Sequence, residues 1–408
     1  RVTDTMFHIF TSGTTGLPKA ARIHHLKAAL SGWVMFKFNG VRTTDRVYVT
    51  LPLYHSSALL IGVFGSLAYG VPIILRRKFS ASKFFTECRE TRATVVLYIG
   101  ELCRYLCGTP EGPDDRAHSV RAAIGNGMRP DVWEKLQSRF HIEYVGEFYA
   151  STEGNANLIN NQNKRGAIGF VSPLIAKKYP VKIVKFDVET ETVVRDANGQ
   201  CVEVAPGEPG ELVGYIDNSD VTRRFDGYTD KAATEKKIIR DVMRPGDLYF
   251  RTGDLVRQDA EGFVYFVDRI GDTFRWKGEN VSTAEVAEVV GGSAGVKDAT
   301  VYGVSIPNLE GRAGMASLVV DEDAFSPAAL FQTVTANLPR YAAPLFVRLQ
   351  QELEITGTFK NRKVNLVEQG FDPRAIDEKL FFRDDASKAF VPLDEKLYAQ
   401  IVSGEVKV

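Results

Sequence analysis

Residues 11–19, TSGTTGLPK, hold four hydroxyl side chains, two glycines and one lysine, directly after the apolar run Met6–Phe10. Hydroxyls, open backbone N–H groups and an ammonium are what a polyphosphate needs. The usual phosphate loop reads G-x-x-x-x-G-K-[ST], with a hydroxyl after the lysine to hold Mg²⁺. Here Pro18 precedes Lys19 and Ala20 follows it. Proline has no N–H to offer, and alanine cannot ligate a metal. Any Mg²⁺ therefore needs a hard oxygen ligand from elsewhere in the chain.

Four further stretches carry chemistry-bearing side chains: LPLYH (51–55), YASTE (149–153), RTGD (251–254) with DRIGDTFRWKGE (268–279), and ITGTFK (355–360). His55 falls at the end of an expected buried strand, where α/β sheets receive ligands.

A chain of 408 residues implies two or more domains. Its 51 basic and 51 acidic residues balance, which argues against nucleic acid as the main partner. Four scattered cysteines read as reduced thiols, not as a metal site or disulfide framework. No signal peptide is visible. The chain opens on RVTDTMF, almost at once on a strand, and a strand cannot stand alone; the expectation is a fragment with earlier sequence missing. Val47–Leu75 carries no formal charge, but Gly62, Gly65, Gly70 and Pro72 interrupt it. It reads as a buried helix over 57–69 followed by a buried strand, in preference to a membrane span.

These motifs must be positioned by alternating elements. Strands are expected at MFHIF, 47–51, 71–75, 94–99 and 122–124. Helices are expected near 25–35 and over 57–69, 82–91 and 130–140, the rhythm of a parallel sheet with crossovers. From Tyr179 the pattern changes to short β-runs over 181–187, 192–195, 200–204 and 211–216, an antiparallel or barrel-like subdomain, then a hairpin of 254–257 with 263–267. After Asp268-Arg269 smaller α/β alternation resumes. Ser282-Thr283 caps a helix, strands cover 299–304 and 315–320, and Ser326-Pro327 opens a further helix.

Taken in order, the five stretches resemble the adenylate-forming (ANL) superfamily of acyl-CoA synthetases, peptide-synthetase adenylation domains and luciferases. TSGTTGLPKAA, DRIGDTFRWKGENVST, TGTFK and the tail LVEQGFDP…VPLDEKLYAQI are similar to the fatty acid transport protein branch, the very long-chain acyl-CoA synthetases. The resemblance implies an α/β acyl-CoA synthetase-like fold. Residues 1–268 would be the C-terminal portion of a truncated large AMP-binding domain, with a β-rich subdomain over about 180–268. Residues 269–272 would be a hinge and 273–408 a small C-terminal domain.

It also implies roles. Thr11, Ser12, Gly13, Thr14, Thr15, Gly16 and Lys19 would hold the ATP phosphates. Glu153 would ligate Mg²⁺ and Thr152 would touch the α-phosphate. Tyr149, with Ala150 beside it, would stack on adenine, and Gly125, Asn126 and Gly127 would line its other face. Asp254 and Arg269 would bind the ribose. His55, Leu59 and Val63 would border the acyl pocket. Lys277, Gly278 and Glu279 would face coenzyme A. Lys360 would be the catalytic lysine, with Lys363 as the alternative because Phe359 replaces the usual glycine. Gly271, followed by Asp272, stands where the superfamily often has aspartate or lysine, and glycine suits a hinge.

The implied reaction is ATP-dependent ligation of a long or very long-chain fatty acid to coenzyme A through an acyl-adenylate. It is coupled to fatty acid uptake, with the catalytic domain in the cytosol at the endoplasmic reticulum or plasma membrane and the anchor in the missing N-terminal sequence. Rival readings are a bile-acid or aryl-acid CoA ligase, and a lipid transport protein with incidental ligase activity.

Overall fold

The computed structural model describes residues 1–11, 18–176, 179–188, 190–354 and 363–408. Two compact units divide the chain. The first comprises Arg1–Lys185, Val193–Thr252 and Val256–Phe266; the second comprises Phe186–Thr192, Gly253–Leu255 and Val267–Val408.

In the first unit, β1 (Thr5–Thr11) and β2 (Lys19–His24) form an antiparallel two-stranded sheet with Phe10 opposite Ala20 and Thr11 opposite Lys19. Here the sequence reading needs correction. MFHIF stands outside the parallel sheet, paired with a strand from Lys19 that the sequence reading did not expect, while the expected helix follows at His25. The cause is the short connection, since a parallel return needs a crossover of about a dozen residues or more. Alternating Ala21 and Ile23 give β2 its buried face.

Helix α1 (His25–Phe38) follows at once, and the His24 imidazole caps it by accepting from the Lys27 N–H. Beyond it come β3 (Val47–Val49), the helix over 57–69, β4 (Ile73–Leu75), α3 (Phe84–Thr91), β5 (Val95–Ile99), α4 (Gly100–Cys107), β6 (Ala122–Asn126), α5 (Pro130–Phe140), β7 (Tyr144–Tyr149) and β8 (Leu158–Asn160). The sheet order is β4-β3-β5-β6-β7-β8, parallel from β4 to β7 and closed by an antiparallel β8. Apolar layers cover both faces, one around Trp133 and Phe140, the other around Phe36 and Leu97.

The helix over 57–69 is π-wound across Ser57–Phe64 and continues as α2 (Gly65–Tyr69). A Cβ on Gly32 of α1 would lie 2.4 Å from the Gly65 Cα, so these helices touch backbone to backbone. No helix among the described residues is long and apolar enough to cross a membrane.

The next strands are β9 (Gly169–Phe170), β10 (Val181–Val184), β11 (Phe186–Asp187), β12 (Thr192–Val193), β13 (Pro209–Tyr215), β14 (Ile238–Arg240), β15 (Leu248–Gln258) and β16 (Phe263–Arg269), with the short α6 (Lys231–Glu235) between β13 and β14. One sheet runs β10-β13-β15-β16-β9, with β14 on β15. The expected strand over 200–204 makes only isolated bridges. Its N–H groups go to different segments, Cys201 to Val242, Val202 to Val194 and Val204 to Ile183, so no ladder propagates.

The second unit holds the hairpin β17 (Phe274–Trp276) and β18 (Glu279–Val281), then α7 (Thr283–Gly291), β19 (Val296–Val304), β20 (Ala313–Val320), α8 (Pro327–Asn337), β21 (Phe346–Leu349), α9 (Val364–Gln369), β22 (Leu380–Asp384), β23 (Ala389–Pro392) and α10 (Glu395–Ser403). Ser282 and Ser326 cap α7 and α8 by accepting from Glu285 N–H and Ala329 N–H, as their sequences foretell. The sheet β19-β20-β21-β22-β23 packs one continuous apolar core.

Candidate active site

Three parallel strands end together in the first unit. Beyond β5 lies Gly100, beyond β6 lies Gly127, and β7 ends at Tyr149. These ends pack without room for side chains. A Cβ on Gly100 would sit 1.7 Å from the Gly127 carbonyl oxygen, and one on Gly125 2.2 Å from the Tyr98 oxygen. Gly127 also adopts φ of 76°, which favours glycine.

Buried Glu147 locks this rim. Its carboxyl accepts from the Gly127 N–H, from the Met128 N–H at 3.2 Å, and from the Tyr98 hydroxyl. Burial pushes that carboxyl up to about 8, against the pull of these hydrogen bonds. Two polar atoms on the same rim, Asn126 Oδ1 and Ser151 Oγ, are buried with no hydrogen-bond partner among the described residues. Both atoms lie at or just past the carboxyl ends of parallel strands, the edge at which α/β sheets receive ligands.

The loop after Tyr149 carries Ala150, Thr152 and Glu153. Lys27, on the first turn of α1, reaches beneath it. Its Nζ donates to the Thr152 carbonyl at 2.9 Å and to the Gly154 carbonyl at 2.8 Å. Burial pushes the Lys27 ammonium down to about 8, opposed by the Glu153 and Asp226 carboxylates. The Thr152 hydroxyl meets the Ser56 hydroxyl at 3.1 Å, bringing the residue after His55 to the YASTE loop.

Tyr228 closes the other side. Segment 227–229 pairs with β2, through Arg22 N–H to the Gly227 carbonyl at 3.0 Å and Thr229 N–H to the Ala20 carbonyl at 2.9 Å. Its phenol is hydrogen-bonded with Glu153 and Thr11, and burial and the Glu153 charge raise its pKa. Lys19 Nζ lies 5.8 Å from the centroid of the same ring. One tyrosine thus joins both flanks of the phosphate-type loop to the Glu153 carboxylate. Asp226, beside it, faces His24 Nε2 at 3.6 Å and Arg224 Nε at 2.7 Å.

Ser12, Gly13, Thr14, Thr15, Gly16 and Lys360 lie outside the described residues. His55 is half-buried, and its carbonyl accepts from the Leu59 N–H at the head of the π-wound helix. Leu59 packs with Ile9, Ile23, Ala28 and Leu60, while Val63 is half-buried.

In the second unit, Arg269 Nε stands 3.7 Å from Asp254 Oδ1, and Ile270 N–H donates to the Gly253 carbonyl at 3.0 Å. The turn after β16 is closed by Asp272 and Thr273 N–H groups, both donating to the Arg269 carbonyl, with Gly271 exposed at its apex. Lys277, Gly278 and Glu279 are exposed at the tip of the β17–β18 hairpin. Lys277 and Gly278 have φ of 51° and 83°, the signature of a tight two-residue hairpin turn. Lys277 Nζ donates to the Val408 carbonyl at 2.6 Å.

Sequence reasoning missed Lys27, Ser56, Tyr98, Glu147 and Tyr228. Lys27 looks like any helical lysine, and Tyr228 sits in RRFDGYTD, which has no periodicity. Only for Glu147, a lone carboxylate inside the apolar strand YVGEFY, was there a local signal: a charge where a buried strand tolerates none unpaired.

Residues 2–223 match the family model for AMP-binding enzymes, and residues 285–360 match the model for the AMP-binding enzyme C-terminal domain. The chain is 48% identical over 402 residues to long-chain fatty acid transport protein 2 of Rattus norvegicus, covering 98% of this chain and 64% of that protein. It is 45% identical over 404 residues to long-chain fatty acid transport protein 1 of Homo sapiens, covering 98% of this chain and 62% of that one. The chain thus spans less than two thirds of these relatives. Among solved structures, ATP-bound MatB from Rhodopseudomonas palustris superposes with a TM-score of 0.73 at 23% identity, over 90% of this chain and 68% of that chain. The o-succinylbenzoate coenzyme A synthetase of Bacillus subtilis, with ATP and magnesium, gives a TM-score of 0.69 at 24% identity, over 90% and 70%. The fold is that of the acyl-CoA synthetases.

Proposed function

Because this chain belongs to the AMP-binding enzyme family, we propose that it joins a long or very long-chain fatty acid to coenzyme A in two steps. The fatty acid carboxylate attacks the α-phosphorus of ATP, forming acyl-adenylate and releasing pyrophosphate. The coenzyme A thiol then attacks the acyl carbon, forming the thioester and releasing AMP. No side-chain nucleophile is required, and the protein's work is positioning and charge stabilisation.

The observation that carries this reading is the cluster of Thr11, Lys19, Tyr228, Glu153 and Lys27. It places a carboxylate and an ammonium at the two flanks of a phosphate-type loop. Glu153 fits Mg²⁺ as a single hard ligand, since that ion is commonly held by one or two carboxylates plus phosphates and water. A bound Mg²⁺ would neutralise phosphate charge. The orphaned Asn126 Oδ1 and Ser151 Oγ fit the polar edge of a nucleotide, with Tyr149 and Gly125–Gly127 against the base and Thr152 at the α-phosphate. Asp254 and Arg269 serve the ribose. Lys360 stabilises the charge that gathers as carboxylate meets phosphate. His55, Leu59 and Val63 border the acyl chain, Gly271 and Asp272 form a hinge, and Lys277–Glu279 serve coenzyme A. Uptake follows by trapping, because the thioester cannot recross a membrane, and the catalytic units then face the cytosol at a membrane surface.

The test separates the half-reactions. Lys360→Ala is expected to cripple acyl-adenylate formation, by about 10²–10³-fold for one lost preorganised group, and to spare thioester formation from supplied acyl-adenylate. Palmitate, a C24 acid and cholate as substrates decide the acid class, and a preference for cholate would replace the fatty acid reading.

A further inference from the structure

Tyr228 stands on a strap of backbone that is pinned from two sides. Its N–H donates to Thr234 Oγ1 at 2.9 Å, and that hydroxyl donates to the Asp230 carbonyl at 2.8 Å. Asp230 caps α6 by accepting from the Ala232 and Ala233 N–H groups. Gly227 has φ of 62°, and a Cβ there would lie 2.3 Å from Thr234 Cγ2. On the other side Tyr228 bridges Ala21 of β2, and its buried ring packs with Ala21 and Ala233. The phenol that this frame delivers meets the Glu153 carboxylate and the Thr11 hydroxyl. A phenol has one proton to give, and a carboxylate is a stronger acceptor than a hydroxyl. The Tyr228 hydroxyl therefore donates to Glu153 and turns its own oxygen toward Thr11.

We propose that Tyr228 is a positioning residue for the metal: its hydroxyl holds the Glu153 carboxylate in the orientation that receives Mg²⁺. The proposal rests on the reading of Glu153 as the metal ligand. Glu153 lies between two carbonyls, of Thr152 and Gly154, that both accept from the Lys27 ammonium. A glutamate free to turn would fold toward that cation, and a carboxylate paired with an ammonium has fewer lone pairs left for a metal. One phenol bond occupies a single lone pair of the carboxylate's roughly four and leaves the others open. Mg²⁺ demands near-octahedral geometry, so a lone carboxylate ligand has to be well aimed. Holding the side chain in advance also spares the rotamer freedom that binding would otherwise remove.

The experiment reads metal binding at equilibrium, apart from turnover. Mn²⁺ stands in for Mg²⁺, and the paramagnetic resonance signal of the free ion is followed in the intact protein. α,β-Methylene-ATP, inert at the bond that the reaction breaks, is kept saturating. Tyr228→Phe keeps the buried ring and removes only the hydroxyl, and thermal melting checks that the fold is retained. This variant is expected to weaken Mn²⁺ binding by about three- to tenfold, with palmitate binding and metal-free nucleotide binding unchanged. Glu153→Gln should weaken it by about tenfold. The double variant Tyr228→Phe/Glu153→Gln should bind Mn²⁺ no more weakly than Glu153→Gln alone, because the phenol acts through the carboxylate. Superimposable Mn²⁺ curves for Tyr228→Phe and parent overturn the proposal. So do losses that multiply in the double variant, which would place Tyr228 on another target. Equal losses of metal, nucleotide and palmitate binding in Tyr228→Phe overturn it as well, since they mark a structural role. Unweakened Mn²⁺ binding in Glu153→Gln is a different failure, which removes the metal-ligand assignment beneath it.

Discussion

Lys27 in the first unit and Lys363 in the second are both partly buried lysines with two hydrogen-bond acceptors, and the acceptors differ in kind. Lys27 donates to two main-chain carbonyls, of Thr152 and Gly154. Lys363 donates to a carboxylate and a hydroxyl. Carbonyl dipoles fix the course of a backbone loop but only weakly offset the cost of burying a charge, and the Lys27 ammonium is accordingly pushed down to about 8. A carboxylate partner instead ties one side chain to another. The contrast suits the two tasks. Glu153 stands on a loop whose backbone is held, whereas Asp272 is held through its side chain to the head of α7 and the start of α9.

The largest effect is expected at the carbonyl clamp. Lys27→Met would leave two carbonyls without their donor, at about 1–3 kcal/mol each, and let the Thr152–Glu153 loop shift. Acyl-adenylate formation should fall on the order of 10²-fold, with part of it returned by Lys27→Arg, which keeps the charge and the donors. Rapid-quench measurement of the first half-reaction reads this directly, and equal rates for Lys27→Met and parent would break the comparison.

Glu153→Gln tests what the clamp holds. The amide is a weaker hard-cation ligand, so the Mg²⁺ titration of ATP use should shift by about tenfold, with fatty acid binding unchanged. Superimposable titration curves would remove Glu153 as the metal ligand.

A smaller loss is expected from Gly100→Ala, whose methyl would collide with the Gly127 carbonyl. Overpacking of this kind costs about 1–3 kcal/mol. Thermal melting should drop, and calorimetric ATP affinity should fall with it because Gly127 forms part of the rim.

The mildest test concerns Glu147. Its folded-state pKa, about 8, lies above the ordinary 4.5. Its contribution to stability is therefore fully present below about 4.5 and is lost as pH rises through 8. Glu147→Gln, which still accepts from the Gly127 and Met128 N–H groups, should flatten the decline of melting temperature over that window. An unchanged pH dependence would mean that the carboxyl ionises freely.

Much of this was legible in the sequence because it is local chemistry. The capping serines at 282 and 326 and the strand–helix rhythm from 47 to 140 each follow from residue types a few positions apart. Five motifs in order were enough for the family. The pairing of β1 with β2, the π-wound stretch over 57–64 and the loss of a strand at 200–204 were not legible, because each depends on which distant backbone supplies the partner.

The sequence by itself determined which side chains were available for phosphate, metal and nucleotide work, since those properties travel with the residue. Only the tertiary structure decided which of them meet. Lys27 reaches a loop 125 residues away, Ser56 a threonine 96 away and Lys363 an aspartate 91 away. Such contacts are absent from any local pattern because a hydrogen bond acts over about 3 Å, and sheet order and helix packing alone bring those atoms within that reach.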